Sequence, residues 1–174
     1  MSDTAPRTIR EFGGIRVHRT HWPIIVLEFP EKRIADTEFH DALAYIETLM
    51  RECQRSGQKS FQVTDLTRIR EIAPASQRKY AAEWVKEMDA LIRIASVGGA
   101  DVTPSSILRG LITAIHWIQR PPTPTAVFAT RSEAYLHAIG QLERALGALP
   151  QNLIALRKQL QAQSVGQSSR PQGP

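Results

Sequence analysis

Few side chains in this sequence combine the type and spacing that chemistry needs. Asp65 closes the run SFQVTDL, Ser60 to Leu66. An acid at the C-terminal end of a strand stands where open α/β sheets gather their ligand-binding groups. The same carboxylate could instead accept amide hydrogens from the following turn. Ser76, with Arg78 and Lys79 close behind, follows Pro74 at a helix start. The helix dipole and the two cations would favour a phosphate there, and an unmodified serine would act as an N-cap. Asp65, Ser76 and Arg78 are therefore the candidate regulatory or ligand-binding residues. The histidines, His18, His21, His40, His116 and His137, show no HxH or HxxxH pairing, so no metal is expected. Cys53 falls on an apolar helical stripe and reads as a small core residue rather than a nucleophile. Gly98-Gly99 lacks the GxxxxGK spacing of a phosphate loop and reads as a turn before a helix. The amides at that helix start, Thr103 to Ser106, could make a weak anion contact. No nucleophile–base pair, metal set or paired carboxylates can be assembled from spacing. The expectation is a protein that is not an enzyme and holds no cofactor.

The elements that would position these residues belong to an ordinary globular chain of 174 residues, 42% hydrophobic and 22% charged. The net charge of +5 is uneven, with +4 in residues 51–80 and +3 in residues 151–174. The first cluster (Arg51, Arg55, Lys59, Arg68, Arg70, Arg78, Lys79) is spread over a helix end, a loop and a helix start. That fits a solvated basic edge, and nucleic acid is not the expected partner. No apolar run approaches the ~20 residues that span a bilayer. The polar N-terminus and the lone cysteine lead to an expected cytoplasmic location.

Hydrophobic periodicity divides the chain. Residues 1–13 read as a flexible lead. Ile15 and Val17 alternate with Arg16 and His18 as a half-buried strand, and Ile24 to Phe29 form a β-branched run typical of a strand buried on both faces. Asp36 or Thr37 would cap a helix with Phe39, Leu43, Ile46, Met50 and Cys53 inward, stopped by Ser56-Gly57. After the strand ending at Asp65, Pro74-Ala75-Ser76 opens a long helix striped by Tyr80, Trp84, Met88, Leu91 and Ala95. Ser96 to Val102 reads at best as a weak strand. Thr103 or Ser105 caps a helix with Ile107, Leu108, Leu111, Ile112, Ile115 and Ile118 inward, ended by Pro121, Pro122 and Pro124. Thr125 to Thr130 is a short strand, and Ser132 caps a last helix of the domain through Leu146. One domain over 14–149 results, with a short extra helix over 150–162 and a disordered tail over 163–174. The alternation predicts an α/β fold: a mostly parallel or mixed sheet of about five strands flanked by about four helices, plus the C-terminal helix.

The opening hairpin IRVHRTHWPIIVLEF, the helix after it, the strand FQVTDL ending in Asp65, and TAVFAT followed by a helix at Ser132 together resemble the STAS domain family. That family is the fold of bacterial anti-sigma factor antagonists and their SpoIIAA-like relatives. In those antagonists the strand-end acid is followed by a loop carrying an Asp-Ser-x-Gly-like element, whose serine is phosphorylated. Ser76 occupies the comparable helix start here, without the preceding acid and the following glycine. The resemblance implies a non-catalytic bacterial module, a regulatory or assembly subunit that binds a partner protein or a small ligand.

The partner itself is expected to be another protein or a second copy of the chain. The helix over 107–118 is apolar over most of its girth, and such a helix must be covered on two sides. Leu111, Ile115, Trp117 and Ile118 are the candidate interface, with Trp117 lying beside the main stripe as a contact anchor. Leu153 to Leu160 could supply a second contact helix. The alternative is a module for a small anionic or lipid-like ligand held by Asp65, Arg78 and helix-start amides.

Overall fold

The polar lead carries a strand. In the computed structural model, which describes residues 8–70 and 73–168, with side-chain surroundings through 163, β1 (Ile9–Phe12) pairs antiparallel with β2 (Ile15–His18). The expected flexible lead over 1–13 is corrected for residues 9–12. IREF is an edge strand exposed for most of its length, so it needs none of the alternation that betrays a half-buried strand. β3 (Ile24–Glu28) adds antiparallel to β2, and β4 (Ser60–Asp65), β5 (Ser96–Val102) and β6 (Thr125–Phe128) follow in parallel. The strands lie in sequential order in one mixed sheet of six strands. The α/β class and the mixed sheet are as the sequence predicts.

Three connections cross between parallel strands. They carry α1 (Asp36–Ser56), then α2 (Ala75–Glu87) with α3 (Asp89–Ala95), then α4 (Ser106–Ile118). With strands in sequential order and crossovers of one hand, these helices lie on one face of the sheet. α5 (Arg131–Leu146) and α6 (Gln151–Ser168) return across the other. The core is accordingly split by the sheet. On the first face Ile15, Val17, Ile25 and Leu27 meet α1, α2 and α3, with Phe39, Ile46, Met50, Cys53 and Trp84 buried among them. On the second, Ile24, Val26, Phe61, Val63, Ala100 and Val102 meet Ala138, Ile139 and Leu142 of α5 and Leu153, Leu156 and Leu160 of α6. Strand side chains alternate between faces, so the fully buried β3 serves both halves.

β5 corrects the expectation of a weak strand. Its Gly98 is required by neighbours rather than by a turn. A Cβ on Gly98 would stand 2.9 Å from the Phe61 ring and 2.9 Å from the Pro124 carbonyl oxygen. The long helix predicted over 75–95 is broken at Met88, which separates α2 from α3. α6 runs through Ser168 and seals the second half of the core. It is therefore no appendage ending at 162, and residues 163–168 are helical rather than tail; 169–174 lie outside the described residues.

Helix ends follow local chemistry, at positions partly different from those expected. α1 starts after Ala35, whose amide donates to Glu38 Oε2 at 2.9 Å, so neither Asp36 nor Thr37 is the cap. It stops at Gly57, held at φ 69° in the left-handed region that glycine enters without strain. Pro74 precedes α2, which puts Ser76 inside the first turn rather than at the cap. Ser105 caps α4 by accepting from the Leu108 amide at 3.3 Å. α5 is capped by Thr130 and Glu133 in a reciprocal box, in place of Ser132. Among the described residues no helix is long and apolar enough to cross a membrane.

Candidate functional site

β3 and β4 run parallel and in register, with Glu28 beside Asp65, so two acids stand together at the C-terminal edge of the sheet. Both belong to the α5 face and both are buried, Glu28 to 5% exposure and Asp65 to 1%. Burying two carboxylates side by side is costly unless cations neutralise them. The sequence supplies the cations from three directions. From β2, Arg16 reaches Glu28 at 2.5 Å, and His18, two residues on, sets its Nε2 in hydrogen-bond range of the other Glu28 oxygen at 3.0 Å. Arg131, in the first turn of α5, bridges the pair, with Nη2 3.2 Å from Glu28 and Nε against Asp65 Oδ2. Arg68 stands 3.8 Å from Glu28 on the loop after β4. The other Asp65 oxygen accepts from the Thr67 amide at 2.9 Å and from its hydroxyl at 2.6 Å.

The electrostatics follow from this geometry. Burial pulls the Glu28 carboxyl upward, but Arg131, Arg16 and His18 outweigh it and hold the group below the usual glutamate range. Burial works against the charge of Arg131, yet Asp65 and Glu28 keep that guanidinium more firmly protonated than usual. Burial raises Tyr135, one turn along α5, and the two carboxylates add to the rise against the opposing pull of Arg131. Every charge in the cluster has a partner. It ties β2, β3, β4 and the start of α5 together.

Asp65 therefore sits at the sheet edge, as the sequence indicated, but the structure does not bring it together with Ser76 or Arg78. Asp65 turns to the α5 face, whereas Arg78 lines a cleft on the opposite face, between the 29–34 loop and α2. Ser76 is exposed, with its hydroxyl 3.5 Å from Asp36 Oδ1. The partner that matters to Asp65 is Arg131, which sequence reasoning passed over together with Glu28. One signal was present: IIVLE and FQVTD each end in an acid, and consecutive parallel strands place such ends side by side.

The other candidate surface is α4. Beneath it β5 shows Gly99 and Asp101, because its apolar side chains Ala100 and Val102 point to the opposite face. Against so polar a bed α4 buries no residue. Its inner side is fixed by half-buried Leu108 and Ile112, by His116 at 3.3 Å from Asp101, and by Arg109 donating to the Thr103 and Pro104 carbonyls at 3.0 Å and 2.7 Å. The expectation that 107, 111, 115 and 118 point inward is thus corrected. Ile107, Trp117 and Ile118 are 82%, 80% and 89% exposed, and Leu111 and Ile115 are nearly half exposed. Isolated apolar residues are normal on a surface, but a contiguous stripe of them marks an interaction site. Neither a protein-family model nor a curated protein matches this sequence.

Proposed function

We propose that this protein is a non-enzymatic association module, a STAS-like regulatory or assembly subunit, and that its α4 face pairs with a second copy of the chain. The observation that carries the reading is the outward stripe of α4, whose Ile107, Leu111, Ala114 and Ile118 recur at intervals of four, three and four residues. That is the spacing of a helix–helix seam. Ile115 and Trp117 flank it.

Area and charge favour a second copy as the occupant. The five large exposed side chains offer on the order of 700 Å² of apolar surface, close to the ~800 Å² that each partner buries in a stable complex. A two-fold axis sets a face against itself, so any charged group on it would meet its own like. This face carries none, because Arg109 and His116, the charged or titratable residues of α4, are both turned inward. Antiparallel pairing of two α4 helices would also set the small residues Gly110 and Ala114 near the axis, where backbones approach closely.

Sedimentation velocity over a wide concentration range tests this. The native chain is expected to sediment as a dimer. Leu111→Glu and Ile118→Glu, each placing like charges across the axis, are expected to give folded monomers with native circular dichroism, melting no higher than the native dimer. A native chain that stays monomeric at every concentration would overturn the pairing, and so would charge variants that remain dimeric.

A further inference from the structure

A second surface stands apart from α4 and does not depend on whether α4 pairs. On the α1 face, the loop after β3, the first turns of α1, residues 66–70 after β4 and residues 73–74 before α2 leave a cleft of about 670 Å³. That is within the range of small-molecule sites. Its walls are apolar: Phe29, Ile34, Phe39, Leu66 and Ile69 line it, with Ala81 of α2. Water held there would find few partners, and ordered water needs two to four of them. Gln77, the buried amide in the wall, already donates to the Ile34 carbonyl and to Asp36 Oδ1, both at 3.0 Å. The cleft is therefore better filled by hydrocarbon than by water or by a polar solute.

The lining residues carry the opposite message about charge. Among the described lining residues Glu31 is bound to Arg70 at 3.0 Å, which leaves Lys32 and Arg78 as basic side chains in excess of acid. Such an imbalance raises the local concentration of anions. Lys32 and Arg78 can lay their aliphatic stems along an apolar guest while keeping their heads in water.

We propose that this cleft is a binding site for a single-chain anionic amphiphile. The alkyl chain lies against Phe29, Ile34, Phe39, Leu66 and Ile69, and the head group lies between Lys32 and Arg78. The shared chemistry is one hydrocarbon chain with one anionic head, and a carboxylate or a phosphate would satisfy it.

Calorimetric titration of the full-length chain carrying Ile118→Glu, which breaks the α4 stripe, tests the site below the micelle concentration. The probes are dodecanoate, dodecyl phosphate and dodecyltrimethylammonium. Saturable uptake of one equivalent of either anion is expected, and the better of the two identifies the head group. The cation is expected to bind at least tenfold more weakly. Lys32→Glu with Arg78→Glu is expected to weaken the anion about tenfold. Ala81→Trp, which fills the cleft, is expected to abolish binding, and Ala81→Leu to weaken it should the larger variant fail to fold. Equal affinity for the cationic probe would overturn the proposal. So would undiminished binding to a folded Ala81 variant, or no saturable uptake of either anion.

Discussion

Replacing Arg131 with methionine isolates what the charge cluster contributes to stability. Methionine keeps much of the aliphatic stem and deletes the guanidinium that touches both carboxylates. Glu28 would still have Arg16 at 2.5 Å and His18 at 3.0 Å, whereas Asp65 would keep the Thr67 hydroxyl and amide. The loss therefore falls mainly on Asp65, a carboxylate 1% exposed and left without its cation. Removing one partner of a buried ion pair costs 3–5 kcal/mol, and the partial exposure of Arg131 argues for the lower end, about 3 kcal/mol. In a domain of this size that corresponds to a fall in melting temperature of roughly 6–12 °C. Urea unfolding followed by circular dichroism reads the change as a lower midpoint at unchanged slope. Asp65→Asn added to Arg131→Met removes the orphaned charge while keeping an acceptor for Thr67, and is expected to recover at least half of the loss. A deficit below about 1 kcal/mol would place the cluster with ordinary surface pairs and refute the reasoning. A double variant no more stable than Arg131→Met would refute it as well.

Acid should destabilise the fold in two stages. Burial, seconded by Arg144 for His137 and by His18 for His21, holds both imidazoles below their ordinary value of 6.5. Between the folded and unfolded values the unfolded chain binds more protons, so stability rises with pH and is lost as pH falls from about 6.5. Glu28, also held low in the fold, adds a second loss below its ordinary value of 4.5. Melting temperatures recorded from pH 7.5 down to 3.5 check both stages, and a flat or rising profile would contradict them. Gly98→Ala is expected to cost about 1–3 kcal/mol through overpacking against Phe61 and the Pro124 carbonyl. Gly140→Ala on α5, with nothing within 4 Å of the new methyl group, is expected to gain up to about 1 kcal/mol. Chemical denaturation of the two variants compares them, and equal effects would deny Gly98 its packing role.

Much of this architecture could be read from residue order because one face of each element dominates its composition. Phe39, Leu43, Ile46, Met50 and Cys53 are all buried on α1, and IIVLE is buried throughout. Where tertiary neighbours decide, local pattern was silent. IREF is a strand because β2 offers it a ladder, and SVGGADV is a central strand because β4 and β6 pair with it on both sides, with Phe61 and the Pro124 carbonyl crowding Gly98. The candidate site divides in the same way. Asp65 was legible from its place at the end of a strand, but its cation arrives from Arg131, far along the chain, and no spacing rule connects the two. Stripe arithmetic counted α4 as inward-facing, because periodicity reports that a helix has an apolar side and not which neighbour covers it. Asp101 of β5 holds His116 on the helix's other side, and the apolar stripe faces outward.

α4 belongs to neither half of the core, and this frees its sequence from a constraint that binds the rest of the chain. A substitution at Phe61 or Ile139 must first answer to folding, whereas one at Ile107 or Trp117 barely touches it. Natural variation at those outward positions would therefore record the demands of whatever the helix meets, and two descendants of this protein could diverge in their associations while keeping the same scaffold.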